Sequence, residues 1–251
     1  MSRLILLLAA ALIAPQATQV EITNEPHHHL VFENQDVRVF NVQVDPNTET
    51  QIHWHRHDYI AVTLGPAEIA NTVLDKPPAT TKLTDGDVRF ASATFAHSVR
   101  DVGPDPFRNV TVEILKDATL RTMPSPWDKD KDKDTKQDSK KDSQISDPVK
   151  NKNDARALEV LPHGTAQILF VKDAIRATDF ELQPAGSIPT HSPAHPLLLI
   201  AVTAFDLSTD SAAKPRHFNS GDSLWLPNGL SRPITNRGPS PAKFVTLEFP
   251  D

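Results

Sequence analysis

Three histidines alternate along the stretch IHWHRHDY, at His53, His55 and His57. Alternate residues of a β-strand point to the same face, so this spacing predicts three imidazoles side by side. Imidazole nitrogen is a common ligand of transition metals in proteins. The stretch therefore indicates a metal site, and a polar strand without a metal is the alternative.

Strand geometry decides which of these histidines can share an ion. Residues two apart lie about 6.6 Å from each other along a strand, and two imidazoles that each reach about 2.1 Å to an ion can converge over that gap. Residues four apart lie about 13 Å from each other, so His53 and His57 do not both bind without a bulge. We expect one adjacent pair, completed by a histidine from a distant strand. His57 is then a rim residue, a residue behind the ligands or a spare ligand.

Composition and charge restrict the possible partners. The chain has 251 residues and no cysteine, so disulfides and thiolate ligands are excluded and any metal is held by nitrogen and oxygen. The net charge of −6 is mild and no basic patch is present, so nucleic acid is not an expected partner.

The N-terminus predicts export. Arg3 precedes the apolar run LILLLAAALIA, which is too short to span a bilayer. We expect residues 1–17 to be a signal peptide and the mature protein to be periplasmic or secreted, without a membrane span. An uncleaved anchor at the membrane surface is the alternative.

A charged segment divides the chain. Residues 124–157 mix Asp and Lys with almost no apolar side chain. Such a segment cannot bury enough apolar surface to offset the entropy of ordering, so it predicts a disordered linker. The expected domains on either side cover residues 25–120 and 158–251.

The two flanking segments repeat one pattern. Residues 86–114 align without a gap with 221–249, and 37–46 align with 175–184. A repeat of this length indicates two copies of one domain. Alternation in VRVFNVQV and NVTVEI, with Gly, Pro, Asn and Asp between the runs, predicts an all-β chain in which each copy is an antiparallel sandwich or barrel.

The first copy resembles the cupin superfamily. The first cupin motif contains His-x-His ahead of a strand, which is matched by His53 and His55. The second motif reads Gly-x5-Pro-x-Gly-x2-His-x3-Asn, and Gly86 and His97 occupy its first glycine and its histidine. Other residues replace Pro, the second Gly and Asn in this copy.

The second copy matches a different part of the same motif. Gly221, Pro227, Gly229 and Asn236 are in register, but Arg232 stands at the histidine position. At the positions of the first motif His191 and His195 remain, with Pro193 where a ligand is needed. The resemblance therefore implies a bicupin of two jelly-roll barrels, in which the second lobe has lost its metal and serves as a docking face.

The resemblance also implies a ligand set. Metal-binding cupins usually carry a glutamate three or four residues after His-x-His, and this chain has only Asp58 and Tyr59 near that position. It is therefore similar to the branch in which three histidines, here His53, His55 and His97, hold one divalent ion. Fe(II) or Mn is the preferred expectation, and Zn, Ni or Cu is the alternative. Asp58, like His57, is an additional ligand candidate.

Several further residues are candidates for the pocket. Tyr59 is the candidate catalytic residue, as a proton donor or a hydrogen bond to substrate, and aromatic packing is its alternative role. Thr63, Phe90 and Phe95 are expected to line the pocket. Glu113 has a counterpart in the other copy, so we interpret it as architectural. The run HHH at residues 27–29 is expected to be a flexible polar stretch, and metal chelation is its alternative role.

These features together predict an exported metalloenzyme acting on a small organic molecule. The three-histidine branch contains oxygen-dependent dioxygenases, so a dioxygenase-like reaction is the first hypothesis. A non-catalytic binding or sensor protein, and an isomerase or lyase, are the alternatives. The protein is expected to be a monomer with paired lobes or a homodimer.

Overall fold

The computed structural model describes residues 18–116, 158–190, 195–208 and 214–249. The predicted signal peptide and the predicted linker lie outside these residues. The described chain is all-β, as the alternation predicts, and its only helical element is a single 3-10 turn at Ile22–Asn24. No helix in this part of the chain is long and apolar enough to cross a membrane.

The first lobe is a sandwich of two five-stranded sheets. One sheet has the order β1-β4-β9-β6-β7 and the other β2-β3-β10-β5-β8. Strand β1, which pairs in parallel with β4, lies upstream of residue 25, where the first domain was expected to begin. The strands are β1 (Gln19–Glu21), β2 (His28–Glu33), β3 (Val37–Val44), β4 (Ile52–His55), β5 (Tyr59–Thr63), β6 (Ala67–Val73), β7 (Ala79–Leu83), β8 (Val88–Ala91), β9 (Phe95–Asp101) and β10 (Phe107–Ile114).

The second lobe repeats this arrangement with one six-stranded and one four-stranded sheet. Their orders are β11-β12-β13-β20-β15-β18 and β14-β19-β16-β17. The strands are β11 (Leu158–Leu161), β12 (Gly164–Lys172), β13 (Ile175–Leu182), β14 (Ser187–Ile188), β15 (Leu197–Ala201), β16 (Phe205–Ser208), β17 (Arg216–Phe218), β18 (Ser223–Leu226), β19 (Ile234–Asn236) and β20 (Ala242–Glu248).

Equivalent strands pair in the same register in both lobes. In the first lobe Glu113 of β10 lies opposite Tyr59 of β5, and in the second Glu248 of β20 lies opposite Leu197 of β15. The internal repeat of the sequence is therefore a repeat of topology as well. Because the register is shared, positions in one barrel have direct equivalents in the other.

The sheet β2-β3-β10-β5-β8 of the first lobe packs against the six-stranded sheet of the second. Val62 and Val110 of the first lobe join Ile200 and Val245 of the second in one buried apolar cluster. Strands β5 and β15 are thus covered on both faces, by the partner lobe and by their own barrel interior. This explains why YIAVTL and LLLIAVT are nearly continuous apolar runs rather than alternating ones.

Two matching hydrogen bonds give the lobe interface an approximate two-fold symmetry. Arg108 donates from Nη2 to the carbonyl oxygen of Ser220 at 3.1 Å. Lys243, which aligns with Arg108, donates from Nζ to the carbonyl oxygen of Asp85 at 2.8 Å, and Asp85 aligns with Ser220. Each lobe uses the same surface toward the other, as the two halves of a symmetric dimer do.

Candidate metal centre

Strands β4 and β9 bring the three histidines together. The two strands are antiparallel neighbours, and His53 lies directly opposite His97. His55 follows two residues later on the same face of β4, and all three side chains are buried inside the first barrel. One ring nitrogen from each of the three lies within 4.8 Å of the other two.

Two of these imidazoles are held through Nδ1. His53 Nδ1 lies 2.9 Å from the carbonyl oxygen of Gln51, and His97 Nδ1 lies 2.6 Å from Oδ1 of Asn71. A carbonyl oxygen only accepts, so Nδ1 carries the proton in both rings and donates it. Nε2 is left with its lone pair free. Histidine ligands are usually oriented by a hydrogen bond of this kind.

The third imidazole faces a buried carboxylate. His55 Nδ1 lies 3.9 Å from Oε1 of Glu113, and among the described residues neither atom has a hydrogen-bond partner. Arg38 donates from Nη1 to the other carboxyl oxygen, Oε2, at 3.1 Å. Burial raises the pKa of Glu113 to about 6, so at neutral pH it is an acceptor that favours a proton on His55 Nδ1. The Nε2 of His55 then also presents a lone pair to the cluster.

The geometry of the Nε2 atoms fits a metal ion. His55 Nε2 and His97 Nε2 are 3.1 Å apart, and His53 Nε2 is buried without a hydrogen-bond partner within the described chain. Two lone pairs at this distance repel each other unless a cation lies between them. Ligand nitrogens that each lie about 2.1 Å from one ion are separated by roughly 3.0–3.4 Å.

Burial keeps these histidines uncharged at neutral pH. It lowers the pKa of His53 to about 4, with a further contribution from the neighbouring charge of His28. It lowers the pKa of His55 and His97 well below the ordinary value. The imidazoles therefore do not need to lose a proton before they bind a metal at pH 7.

A fourth histidine, from the run at residues 27–29, lies beside the cluster. The ring centroid of His28 is 4.6 Å from that of His53, and His28 lines the same cavity. Its Nδ1 lies 2.6 Å from Oε2 of Glu25, a carboxylate that is 1% exposed. The expectation of a flexible stretch at residues 27–29 is therefore wrong, because Glu25 fixes this segment at the start of β2.

Glu25 connects several parts of the site. It accepts hydrogen bonds from the backbone N–H groups of His27 at 2.8 Å and Gln51 at 3.2 Å, and Gln51 in turn holds His53. Burial alone raises the pKa of Glu25, but hydrogen bonds from His28 and His27 outweigh it and lower the pKa to about 2. In the sequence, this carboxylate–imidazole pair is visible as a glutamate and a histidine three residues apart, Glu25 and His28.

Tyr59 and Phe95 enclose the ring of His55. Tyr59 stacks on it with ring centroids 4.0 Å apart, and Phe95 stacks on it at 5.6 Å. Tyr59 also lines the cavity, as does Thr63, whereas Phe95 packs behind the histidines and is not part of the wall. Burial raises the pKa of the Tyr59 hydroxyl, and Glu113 adds to the shift, so the hydroxyl stays protonated.

Phe90 does not line the pocket, in contrast to the expectation. Strand β8 turns Arg89 and Ala91 toward the cavity, so the intervening Phe90 points the other way. It packs against the cluster between the lobes, with Lys172 Nζ 5.5 Å from its ring centre. The residue of β8 that was predicted to face the cavity was therefore wrong by one position.

His57 and Asp58 lie outside the histidine cluster. Strand β4 ends at His55, and both residues belong to the bend that leads into β5. Asp58 accepts a hydrogen bond from the backbone N–H of Ala93 at 2.6 Å, which ties this bend to the loop before β9. Neither residue joins the group of ligand atoms formed by the three histidines.

The histidines form part of the wall of a cavity inside the first barrel. Its volume is about 420 Å³, within the range of small-molecule sites. Nine of its lining residues are valine, leucine, isoleucine or alanine, and polar side chains line the wall besides the histidines and Tyr59. These polar residues are Thr50, Thr63, Asn71, Lys76, Thr81, Arg89, Asn109 and Thr111.

The described part of the second lobe has no equivalent cluster. Arg232, at the position of His97, is exposed in a bend. His195 is half-buried, and residues 191–194, which include the other positions of interest, lie outside the described residues. Glu248 and Arg176 form the same ion pair as Glu113 and Arg38, which agrees with an architectural role for this pair.

Solved structures with this two-barrel architecture are cupin-fold proteins. Neither a family model nor a curated protein matches the sequence. AerE from Microcystis aeruginosa is 15% identical, with a TM-score of 0.60 over 92% of this chain and 96% of that one. Oxalate decarboxylase from Lactobacillus farciminis is 16% identical, with a TM-score of 0.55 over 92% and 86%. Salicylate 1,2-dioxygenase from Pseudaminobacter salicylatoxidans is 9% identical, with a TM-score of 0.58 over 88% and 75%.

These likenesses define the fold. The chain has the fold of these cupin proteins, with two jelly-roll barrels, and its first barrel holds a buried cluster of three histidines.

Proposed function

We propose that this protein is a metal-dependent enzyme whose first barrel transforms a small organic molecule by a dioxygenase-like reaction. The observation that carries the proposal is the convergence of the Nε2 atoms of His53, His55 and His97 on the wall of a cavity. Such a donor set leaves positions open for substrate on a divalent ion. Fe(II) or Mn fits the proposed reaction, and Zn, Ni or Cu fits the same three nitrogens.

The residues of the chain have separable tasks. A bound ion supplies Lewis acidity and, as Fe(II) or Mn, one-electron chemistry. Gln51 and Asn71 hold the Nδ1 protons of His53 and His97, so that the Nε2 lone pairs face inward. The apolar wall keeps bulk water away from the reacting molecule. Tyr59 is a protonated hydroxyl beside His55, able to donate a hydrogen bond to an oxygen of the substrate.

The structural neighbours support an enzyme as the class of protein. Two of them are named for a dioxygenase and for a decarboxylase. At 9–16% identity these neighbours share only the fold with this chain, so the histidine cluster carries the argument about chemistry.

An isomerase or lyase is the second candidate. His28 lines the same cavity as the metal histidines, and with Glu25 behind it forms a pair that resembles the carboxylate–imidazole pairs that move protons in enzymes. Tyr59 supplies a second protic group nearby. A reaction that only relocates a proton uses these groups and does not consume oxygen.

Metal analysis and oxygen uptake test the proposal together. Protein purified without chelators should contain about one equivalent of a divalent metal, and His97→Ala protein should contain almost none. With Fe(II) bound, a panel of catechols, β-diketones and aromatic acids should include a compound that drives oxygen uptake in wild-type but not in His97→Ala protein. Turnover without oxygen uptake supports the isomerase or lyase. Tight binding without turnover supports a binding or sensor protein, and absence of metal contradicts all metal-dependent readings.

We also propose that the protein is exported. Arg3 and the short apolar run that follows it support this proposal. N-terminal sequencing of the protein from its native source should find a mature chain that begins near Thr18. A chain that starts at Met1 in the cytoplasm would contradict export.

A further inference from the structure

The wall of the cavity in the first barrel contains a partly buried cation whose Nε donor has no hydrogen-bond partner among the described residues. Arg89 lies on β8 and lines the cavity, and its side chain is 15% exposed. Its Nε is buried and has no hydrogen-bond partner among the described residues. A guanidinium donor that is removed from water without an acceptor is unfavourable, so the fold retains an interaction site that its own groups do not satisfy.

Asp87 forms an ion pair with Arg89 but makes no hydrogen bond to it. Asp87 Oδ2 lies 3.9 Å from Arg89 Nη2, too far for a hydrogen bond. The same carboxylate already accepts from the backbone N–H of Thr84 at 2.9 Å and from its hydroxyl at 2.7 Å. Asp87 therefore offsets part of the charge of Arg89 and leaves its guanidinium donors available to a ligand.

The charge of the cavity wall has one sign. Arg89 and Lys76 are the charged residues that line it, and among its described lining residues there is no Asp or Glu. A divalent ion on the neutral histidines would add to this positive potential. An electropositive cavity of this kind attracts and concentrates anions.

Arg89 is placed to hold one end of a small ligand near the histidines. It pairs with Ala61 of β5, and Tyr59 is two residues along that strand, about 6.6 Å away at the backbone. Tyr59 stacks directly on His55. The small side chain of Ala61 leaves the guanidinium open to the cavity, and the planar guanidinium fork matches the two oxygens of a carboxylate.

We infer that Arg89 is the anion-binding residue of the first barrel and that the substrate of the site is a small organic carboxylate. The carboxylate accepts hydrogen bonds from the guanidinium, and the rest of the molecule extends along the apolar wall toward the histidines. This inference rests on the proposed function for the reaction, but the binding step itself can be measured separately.

Matched pairs of probes test the inference. Acetate, pyruvate and benzoate are compared with acetamide, pyruvamide and benzamide, which have similar shapes but no charge. Binding to metal-loaded protein is titrated by ligand-observed NMR for wild-type, Arg89→Gln, Arg89→Lys and Arg100→Gln. Arg100 is an exposed arginine on β9, so its variant removes the same charge outside the cavity. Circular dichroism and metal content confirm that each variant is folded and loaded.

At least one carboxylate should bind wild-type protein more tightly than its amide. Arg89→Gln should weaken that carboxylate by about tenfold or more and leave the amide within about twofold, because only the carboxylate uses the charged donors. Arg89→Lys should be intermediate, since it keeps the charge but loses the fork. Arg100→Gln should bind like wild type. Equal binding of carboxylate and amide in all three pairs, or carboxylate binding that does not depend on Arg89, overturns the inference.

The outcomes separate this inference from the proposed function. Protein that holds no metal but binds carboxylates through Arg89 refutes the metal-dependent reaction and supports the carboxylate site. Protein that holds one metal and binds carboxylates equally well with Gln at position 89 supports the metal centre and refutes the role of Arg89.

Discussion

The two barrels share one arrangement of strands but differ in the side chains of their interiors. At equivalent positions the first barrel carries Tyr59, Asn109 and Arg89, and the second carries Leu197, Phe244 and Leu224. His28 of β2 pairs with Val42 of β3. At the equivalent place in the second lobe, Ala166 of β12 pairs with Phe180 of β13. Polar and titratable groups in one interior are thus replaced by apolar groups in the other.

The difference shows how a duplicated fold separates stability from function. In the second barrel Phe244 stacks on Phe180 and lies tilted against Phe205, and these rings pack the centre. The first barrel keeps a cavity of about 420 Å³ and buries several imidazoles and carboxylates there. Buried polar groups cost stability unless each finds a partner, so the packed second lobe, joined to the first through a shared apolar cluster, is suited to support it.

The largest expected effect is the loss of metal from the first lobe alone. His97→Ala removes one of three ligands, and two imidazoles rarely retain a divalent ion, so metal content should fall from about one equivalent to near zero. Arg232→Ala, at the equivalent position of the second lobe, should leave it unchanged. Metal analysis by mass spectrometry measures both. Retention of a full equivalent by the His97 variant would show that the histidines are not the ligands.

The next effect is on stability and belongs to the second lobe. Phe244→Ala opens a cavity in a packed core and should cost about 3–5 kcal/mol of unfolding free energy. Asn109→Ala, at the equivalent position in the first lobe, loses one hydrogen bond with Thr111 and should cost about 1 kcal/mol. Urea denaturation of both variants measures the contrast. Equal costs would mean that the interiors do not differ as described.

Acid should destabilise the metal-free protein through the first lobe. Burial lowers the pKa of His53 from 6.5 to about 4, so between these values the unfolded chain binds a proton that the folded chain does not. Stability should therefore decrease as the pH falls, by about 2 kcal/mol between pH 7 and pH 5 from His53 alone. His55 and His97 shift in the same direction.

Glu113 changes the stability with pH in the direction opposite to His53. Its pKa is raised on folding from 4.5 to about 6, so it contributes stability when protonated and loses that contribution as the pH rises through 6. It should offset about 1 kcal/mol of the acid effect. Denaturation at both pH values in the presence of EDTA, with His53→Asn and Glu113→Gln as comparisons, separates the two signs. A protein equally stable at both pH values in the Glu113 variant would contradict the assignment.

The last expected effect concerns a residue behind the ligands. Asn71→Ala removes the acceptor of His97 Nδ1, and the loss of such a partner typically weakens metal binding by about 10–100-fold. The fold should persist, because the residue is one polar side chain at a cavity wall. Competition with a chelator of known affinity measures the change. An unchanged metal affinity would show that Asn71 does not orient His97.

The fold was largely predictable because β-strand signals are local. Alternation in β3 and the matched segments 86–114 and 221–249 predict strands and a repeat from neighbouring residues alone. The cluster of His53, His55 and His97 followed from a two-residue spacing and a motif match. Phe90 was misplaced because a shift of one residue exchanges the two faces of a strand. Nothing local indicates which face of β8 meets the other lobe.

The sequence by itself determined the all-β architecture, the duplication, the absence of thiol ligands and the candidate metal histidines. Each depends on composition, on short periods or on internal similarity. Only the tertiary structure placed His28 and Glu25 beside the cluster, gave His97 its partner Asn71 and turned Arg89 into the cavity. These contacts join strands that are far apart in the chain, and they depend on strand register and on how tightly each interior is filled.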